Sequence, residues 1–307
     1  MKPAHYSPLR YPGGKNCIFP FMSKFFYEND LVGIPYAEPY AGGAGLALHL
    51  LLEGYVSKIY INDLDPYIYL FWKAVLNRSN ELCNWIEDVP VNLETWKYYK
   101  DTYKKGIEVD EFEIAKTTFY LNRTNISGVL DAGPIGGYSQ NAKYKIGARF
   151  NKADLISKIR TIAARKHDIV LSNYDGIDFI KALNRKRSDI FIYLDPPYVE
   201  KGHFLYMNCF KEEDHIQLSK FVSKIKKRWM VSYDMNELIL KSYSKWNMIQ
   251  YQLLQCTSNC KKNEILVFSN GLEFSESMKE LAEARVIDPC NPCSQNNNSL
   301  ILDYALH

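Results

Sequence analysis

The sequence predicts an α/β protein built on a doubly wound, largely parallel sheet with a helical insertion. Three observations predict it. Short apolar runs recur without polar alternation, as strands covered on both faces require. Helical patterns sit between many of those runs. The rhythm then breaks between Asp65 and Lys166, where helical stretches follow one another without a strand.

The strand-like runs are 34–40 (IPYAEPY), 58–63 (KIYIND), 168–174 (DIVLSNY), 189–195 (DIFIYLD) and 228–234 (RWMVSYD). Two later runs, NMIQYQLL and EILVFSN, complete the set. LALHLLLEGY follows the first run, DGIDFIKALNRK the third and EEDHIQLSKFVSKIKK the fourth, each with helical spacing. A further helix starts near Asn16, after the turn in PLRYPGGK.

In the insertion, YIYLFWKAVLNRSNELCNWIEDV, NLETWKYYKDTYKK and DEFEIAKTTFYLNRT read as helices. The stretch that follows, rich in Gly, Asn, Ser and Tyr, contains GPIGGYSQN and reads as a loop or hairpin. The expected division is a sheet domain from 1–66 and 167–275, an inserted helical subdomain with a basic hairpin from 67–166, and a C-terminal tail from 276–307.

The formal net charge is only +3. Its distribution is uneven: Lys116 to Lys166 holds ten Lys/Arg against Asp131 and Asp154, and the rest of the chain is net acidic. Such a segment suits a face for phosphates, or a solvated helix face with a loop. The residues MKPAHYSPLRYPGGK lack the apolar core of a signal peptide, and no segment has the apolar length to span a bilayer. The expectation is a cytoplasmic protein with mostly free thiols. Cys256, Cys260, Cys290 and Cys293 form a C-x3-C and C-x2-C arrangement that offers a zinc site, but the loose spacing favours scattered thiols and no metal.

Two constellations carry chemistry. In YAEPYAGGAGLALHLLLEG a strand ends in Glu38-Pro39, passes Tyr40 and Gly42, Gly43 and Gly45, and opens a helix. Glycines there admit a ligand close to the backbone, and the helix start offers oriented N–H groups. Asp63 ends the next strand, where doubly wound folds hold a ribose. The pattern is not G-x-G-x-x-G, and Glu38 would repel a pyrophosphate. A nucleoside with cationic groups fits better, and S-adenosylmethionine is one. Lys15 and Tyr11, from PLRYPGGK, stand ready to meet the ligand's carboxylate and to pack on it.

The second constellation is Asp195-Pro196-Pro197-Tyr198 at the end of an apolar strand. The prolines cannot donate to a sheet ladder, so the chain leaves the sheet abruptly. The lone pair of an adenine exocyclic amine is delocalised into the ring. Asp195 and the Pro196 carbonyl supply acceptors that draw the amine toward a tetrahedral shape. Tyr198 supplies a face on which an extruded base stacks.

PLRYPGGK, AEPYAGGAG, NDLD and DPPY, in this order, resemble the motifs of the Dam-type (D12 class) adenine-N6 DNA methyltransferases over roughly residues 5–270. The resemblance implies a Rossmann-like seven-stranded S-adenosylmethionine-dependent domain, a helical recognition domain with a DNA-contacting hairpin, and base flipping in double-stranded DNA. It implies cofactor contacts from Tyr11, Lys15, Asp63 and Asp195, and a hold on the target adenine from Asp195, Pro196 and Tyr198. Glu38, Tyr40 and Gly42 join the cofactor set as members of the glycine-turn motif. LNRTNISG and YKIGARF resemble the two ends of the hairpin region, so Arg123, Lys143, Lys145 and Arg149 are the candidate DNA contacts. Thr124-Asn125-Ile126 stands where many members have an aromatic residue. A monomer is expected, with a cognate restriction endonuclease as a functional companion that is not physically bound. The alternatives are an RNA adenine methyltransferase, a catalytically silent DNA-binding regulator on the same fold, and a nicotinamide-dependent dehydrogenase.

Overall fold

The computed structural model describes residues 4–199, 210–254 and 261–287. A short turn at Lys15–Ile18 leads into α1 (Phe19–Glu28). There follow β1 (Tyr36–Glu38), α2 (Gly45–Leu52) and β2 (Ile59–Asn62). The insertion contributes α3 (Pro66–Asn77), α4 (Ser79–Asp88), α5 (Leu93–Lys104), α6 (Glu111–Thr124) and α7 (Lys152–Ala164). The sheet resumes with β3 (Ile169–Ser172), α8 (Gly176–Asn184), β4 (Phe191–Leu194) and β5 (Trp229–Asp234). It closes with β6 (Asn247–Leu254), β7 (Lys261–Phe268) and β8 (Ala282–Val286).

The helix starts follow capping chemistry. Asp65 Oδ1 accepts from Tyr67 N–H at 2.8 Å ahead of Pro66, Asn92 Oδ1 from Thr95 N–H at 2.8 Å, and Asp110 Oδ1 from Phe112 N–H at 3.0 Å. Each side chain satisfies an N–H group that has no partner inside the helix. The long helical run after Asp65 divides at Arg78, whose φ of −132° leaves helical geometry. The break lets α4 turn and pack on α7. Helix α7 is not among the helices expected from sequence, because its basic residues read first as a charged segment.

The eight strands run in the order β3-β2-β1-β4-β5-β7-β6-β8. β3, β2, β1, β4 and β5 are parallel, whereas β7 lies antiparallel between β5 and β6. The count is one more than the seven expected: β8 adds antiparallel to the outer edge of β6. It does so from within the stretch assigned to the tail, covering backbone groups that β6 would otherwise leave unpaired.

Side chains alternate across the sheet. Tyr36, Phe191, Tyr193 and Met230 enter one core with α1, α2 and the insertion, through Phe25, Phe26, Leu48, Phe71, Trp72 and Phe119. Ala37, Ile192, Leu194 and Val231 enter the other, with Phe179 and Ile180 of α8 and Leu218 and Val222 of the helix Glu212–Val222. Both faces are thus covered, as the continuous apolar runs require. The exception is β3, at the sheet edge, where Val170 is 37 % exposed. The helices of the insertion share the first core with the sheet. Its loop after α6 closes through an isolated Asn125–Pro134 bridge instead of the ladder of a hairpin.

Candidate active site

Parallel order reverses around β1, which pairs with β2 on one side and β4 on the other. The crevice beyond the carboxyl ends of such strands is where doubly wound sheets hold ligands. Glu38, Asp63 and Asp195 all stand at that rim, each at the end of its strand or one residue beyond.

The glycine turn is fastened from several sides. Gly42 has a φ of +48°, and Ala44 one of +47°. The Gly42 N–H donates to Asp63 Oδ2 at 2.7 Å, and Asp65 N–H donates to Asp63 Oδ1 at 2.9 Å. Trp72 of α3 donates its Nε1–H to Gly42 O at 2.9 Å, so the insertion holds the turn as well. A Cβ on Gly42 would lie 2.5 Å from the Tyr11 ring, and one on Gly43 2.9 Å from Tyr11 Cβ. In this structure the two glycines seat Tyr11. Burial, with Asp65 nearby, pushes the Asp63 carboxyl up to about 7.

Glu38 is 6 % exposed and faces inward. Its Oε1 accepts from Tyr36 OH at 2.9 Å and from Ala47 N–H at 3.1 Å, in the first turn of α2. A carboxylate suits the positive end of a helix, yet burial raises this one to about 8. Tyr40 turns away: its ring lies against Gly176 and meets Phe210 edge-on, in the second core.

Asp195 and Tyr198 meet around Lys15. The Lys15 ammonium lies 3.0 Å from Asp195 Oδ1 and 3.8 Å from Glu264 Oε2, and 4.8 Å from the centroid of the Tyr198 ring. Ser232 Oγ donates to Asp195 Oδ1 at 2.6 Å and accepts from Tyr193 OH at 2.9 Å. Tyr198 and Tyr251 both donate their hydroxyls to Glu264 Oε2, each at 2.9 Å. Burial raises Glu264 above the usual carboxylate range and holds the Tyr198 hydroxyl well above its own, so that it stays a donor. Glu264, Tyr251, Ser232 and Tyr193 were not identified from sequence. The one signal was the acid that opens the apolar run EILVFSN.

The residues fit a cationic nucleoside. Asp195 and Glu264 pair with the buried ammonium of Lys15, and Glu38 and Asp63 stand at the same rim. Glu38 and Asp63, raised by burial to about 8 and about 7, accept a cationic group readily, because the incoming cation restores their charged form.

The basic residues divide in two. Lys116 pairs with Glu113, Lys158 with Asp154 at 2.9 Å, and Arg165 with Asp168 at 2.8 Å. Arg123 is half-buried, donating from Nε to Arg149 O at 2.7 Å and from Nη1 to Pro8 O at 3.4 Å, and desolvation lowers it to about 10. It braces a loop. Lys143, Lys145 and Arg149 are exposed. Lys143 and Arg149 line a cleft of about 350 Å³ with Arg10, Ile126, Gly136 and Tyr144. Arg10 was not singled out from sequence. It reaches this cleft because the Asn122 side chain bonds both its N–H and its carbonyl, each at 2.8 Å. Cys256, Cys260, Cys290 and Cys293 lie outside the described residues, and no helix among the described residues is long and apolar enough to cross a membrane.

A doubly wound sheet with β7 antiparallel between β5 and β6, and an acid-rich crevice with a D-P-P-Y turn at its rim, accords with a methyltransferase. Residues 11–255 match the model of the D12 class N6 adenine-specific DNA methyltransferases, and the chain belongs to that family. It is similar to the Type II methyltransferase M.MjaIII of Methanocaldococcus jannaschii, with 25% identity over 84% of this chain and 95% of that protein. It is also similar to the Type II methyltransferase M.CviBI of Paramecium bursaria Chlorella virus NC1A, with 24% identity over 71% of this chain and 79% of that one. Among solved structures, the rRNA methyltransferase aviRa of Streptomyces viridochromogenes covers 84% of this chain and 85% of its own at 8% identity. Its TM-score of 0.36 is too low to add to the assignment. The chain is an adenine-specific DNA methyltransferase, and S-adenosylmethionine is its methyl donor.

Proposed function

We propose that the protein methylates N6 of an adenine flipped out of double-stranded DNA, with the Asp195–Tyr198 turn holding the base. The observation that carries this reading is the fixed carboxylate of Asp195. Lys15 and Ser232 both bond its Oδ1, and in this reading Oδ2 receives the target amine. The Pro196 carbonyl is the second acceptor, fixed by the proline pair. Two acceptors on one amine pull its lone pair out of the ring and aim it. Tyr198 offers the stacking face. The donor, when bound, supplies a methyl group already activated by positive sulfur, so no covalent enzyme nucleophile is needed.

Tyr11, Lys15, Glu38, Gly42 and Asp63 form the cofactor side of this reading. Lys143, Lys145 and Arg149 face the DNA phosphates, on the helical insertion that serves as recognition subdomain. The packing of Tyr40 on Gly176 favours a supporting role for that ring. Two duplexes test the reading: one with adenine at the target position for single-turnover methylation, and one with 2-aminopurine there, which has no N6 amine to methylate, for base flipping. Methyl transfer should depend on Asp195, and the fluorescence rise that reports an unstacked base should depend on Tyr198. An active Asp195→Ala enzyme would overturn it.

The Type II names of both relatives support a cellular role beside a restriction endonuclease of matching specificity. In this reading the methyltransferase works as a separate monomer. Modification-sensitive sequencing of DNA from a methylation-deficient host expressing the protein identifies the site. Sedimentation tests the monomer.

A further inference from the structure

Glu264 belongs to none of the motifs that announce the reaction, yet it touches the groups they supply. It stands in β7 opposite Asp234, the last residue of β5, and opposite Tyr251 of β6. That register puts it on the same rim as Asp195. It is 3 % exposed. Burying a carboxylate in a sheet is costly unless its oxygens are bonded. Here the partners are Tyr198 OH and Tyr251 OH, each at 2.9 Å from Oε2, with the Lys15 ammonium at 3.8 Å. Lys15 in turn bonds Asp195 at 3.0 Å and stands over the Tyr198 ring.

A tyrosine on a turn has two side-chain torsions to fix before its face can receive a base. Packing alone fixes one edge of the ring. A hydrogen bond at the far end fixes the plane. We propose that Glu264 is a positioning residue for methyl transfer: it locks the plane of Tyr198 through the hydroxyl and shares Lys15 with Asp195, so that the stacking face and the amine acceptor are set relative to one another before the base arrives. This rests on the assignment of the Asp195–Tyr198 turn as the base holder. Stacking on Tyr198 needs no hydroxyl, but alignment does.

The test is a cycle of Glu264→Gln, Tyr198→Phe and the pair, measured with saturating cofactor on an adenine duplex for methylation and on a separate 2-aminopurine duplex for base flipping. Each single variant should slow single-turnover methylation roughly tenfold, the order of one charge-assisted hydrogen bond, and should alter the fluorescence amplitude. The pair should be no slower than the worse single variant, because both cut the same link. Cofactor affinity should stay near wild type in Tyr198→Phe, which separates alignment of the base holder from cofactor binding. If Tyr198→Phe transfers at the wild-type rate with the wild-type signal, or if the two effects multiply, Glu264 serves stability alone. Tyr198→Ala distinguishes the two failures. A slow Tyr198→Ala with silent Tyr198→Phe and Glu264→Gln removes only the positioning role. A fully active Tyr198→Ala removes the base-holding assignment itself, and Glu264's part with it.

Discussion

The N–H of Gly42 donates to Asp63 Oδ2 at 2.7 Å, tying the glycine turn after β1 to the acid that follows β2. Asp63 therefore shapes the turn as well as facing the crevice. Asp63→Ala should weaken S-adenosylmethionine binding by more than the removal of one ligand bond would, since the turn also loosens. We expect a loss of about 1.5–3 kcal/mol or more from that charged acceptor. Asp63→Asn keeps one acceptor oxygen and should lose less. Calorimetry without DNA measures both, and unchanged affinity in Asp63→Ala would remove the residue from the site.

Cofactor binding should release protons. Burial holds Glu38 at about 8 and Asp63 at about 7, so both carry protons part of the time in the free protein at neutral pH. A cationic ligand favours the carboxylate and lowers these values. Affinity should then rise as pH goes from 6 to 8. Calorimetry in buffers of different ionisation enthalpy reads the proton count directly. The same raised values give the free protein a stability penalty that is absent below the ordinary carboxylate range and grows as pH rises through about 8. The melting temperature without cofactor should fall over that window, and bound cofactor should flatten the fall.

DNA affinity should depend on the exposed cations and not on the braced one. Replacing Lys143, Lys145 and Arg149 together should weaken binding to all sequences. The slope of log K against log salt should drop by roughly 0.9 for each phosphate that is no longer neutralised. Arg123, bonded to Arg149 O and Pro8 O, should behave otherwise. Its replacement should disturb the loop and relax specificity while changing the slope little. An unchanged slope in the triple variant would place the duplex elsewhere.

Asp195 should be the most sensitive position. Asp195→Ala removes the amine acceptor and leaves Lys15 and Ser232 without their shared partner. Methyl transfer should be nearly abolished while duplex binding persists. Asp195→Asn keeps an acceptor but not its charge and should retain measurable transfer. Tyr198→Ala should instead slow transfer about ten- to hundredfold, matching the ~1–3 kcal/mol of base–aromatic stacking. Single-turnover rates and filter binding on the same duplex separate these behaviours.

Trp72 offers a test of how the insertion supports the site. Its Nε1–H bonds the Gly42 carbonyl from α3. Trp72→Phe keeps most of the buried ring and loses that bond, so stability should fall by about 1 kcal/mol. Cofactor affinity should fall with it if the bond shapes the turn. A stability loss with unchanged affinity would make the bond purely structural.

What the sequence determined by itself was whatever rests on local chemistry. Continuous apolar runs specified strands covered on both faces, and the two cores bear this out at Tyr36 and Ala37, which face opposite layers. Strand-ending acids followed by glycines or prolines specified the rim of the crevice, because a turn type and its residues are neighbours in the chain. The order of four motifs specified the family. Tertiary structure decided whatever depends on chain segments meeting. Glu264 lies far along the chain from Asp195 and Tyr198, and only the antiparallel β7–β5 register brings it to them. The seating of Tyr11 on Gly42, the turning of Tyr40 into the second core and the bracing of Arg123 were hidden for the same reason. A side chain's type is written in the sequence, but its partner is chosen by packing, and in this site burial sets the charge of Glu38 and Asp63 while the partners set the direction in which each group points.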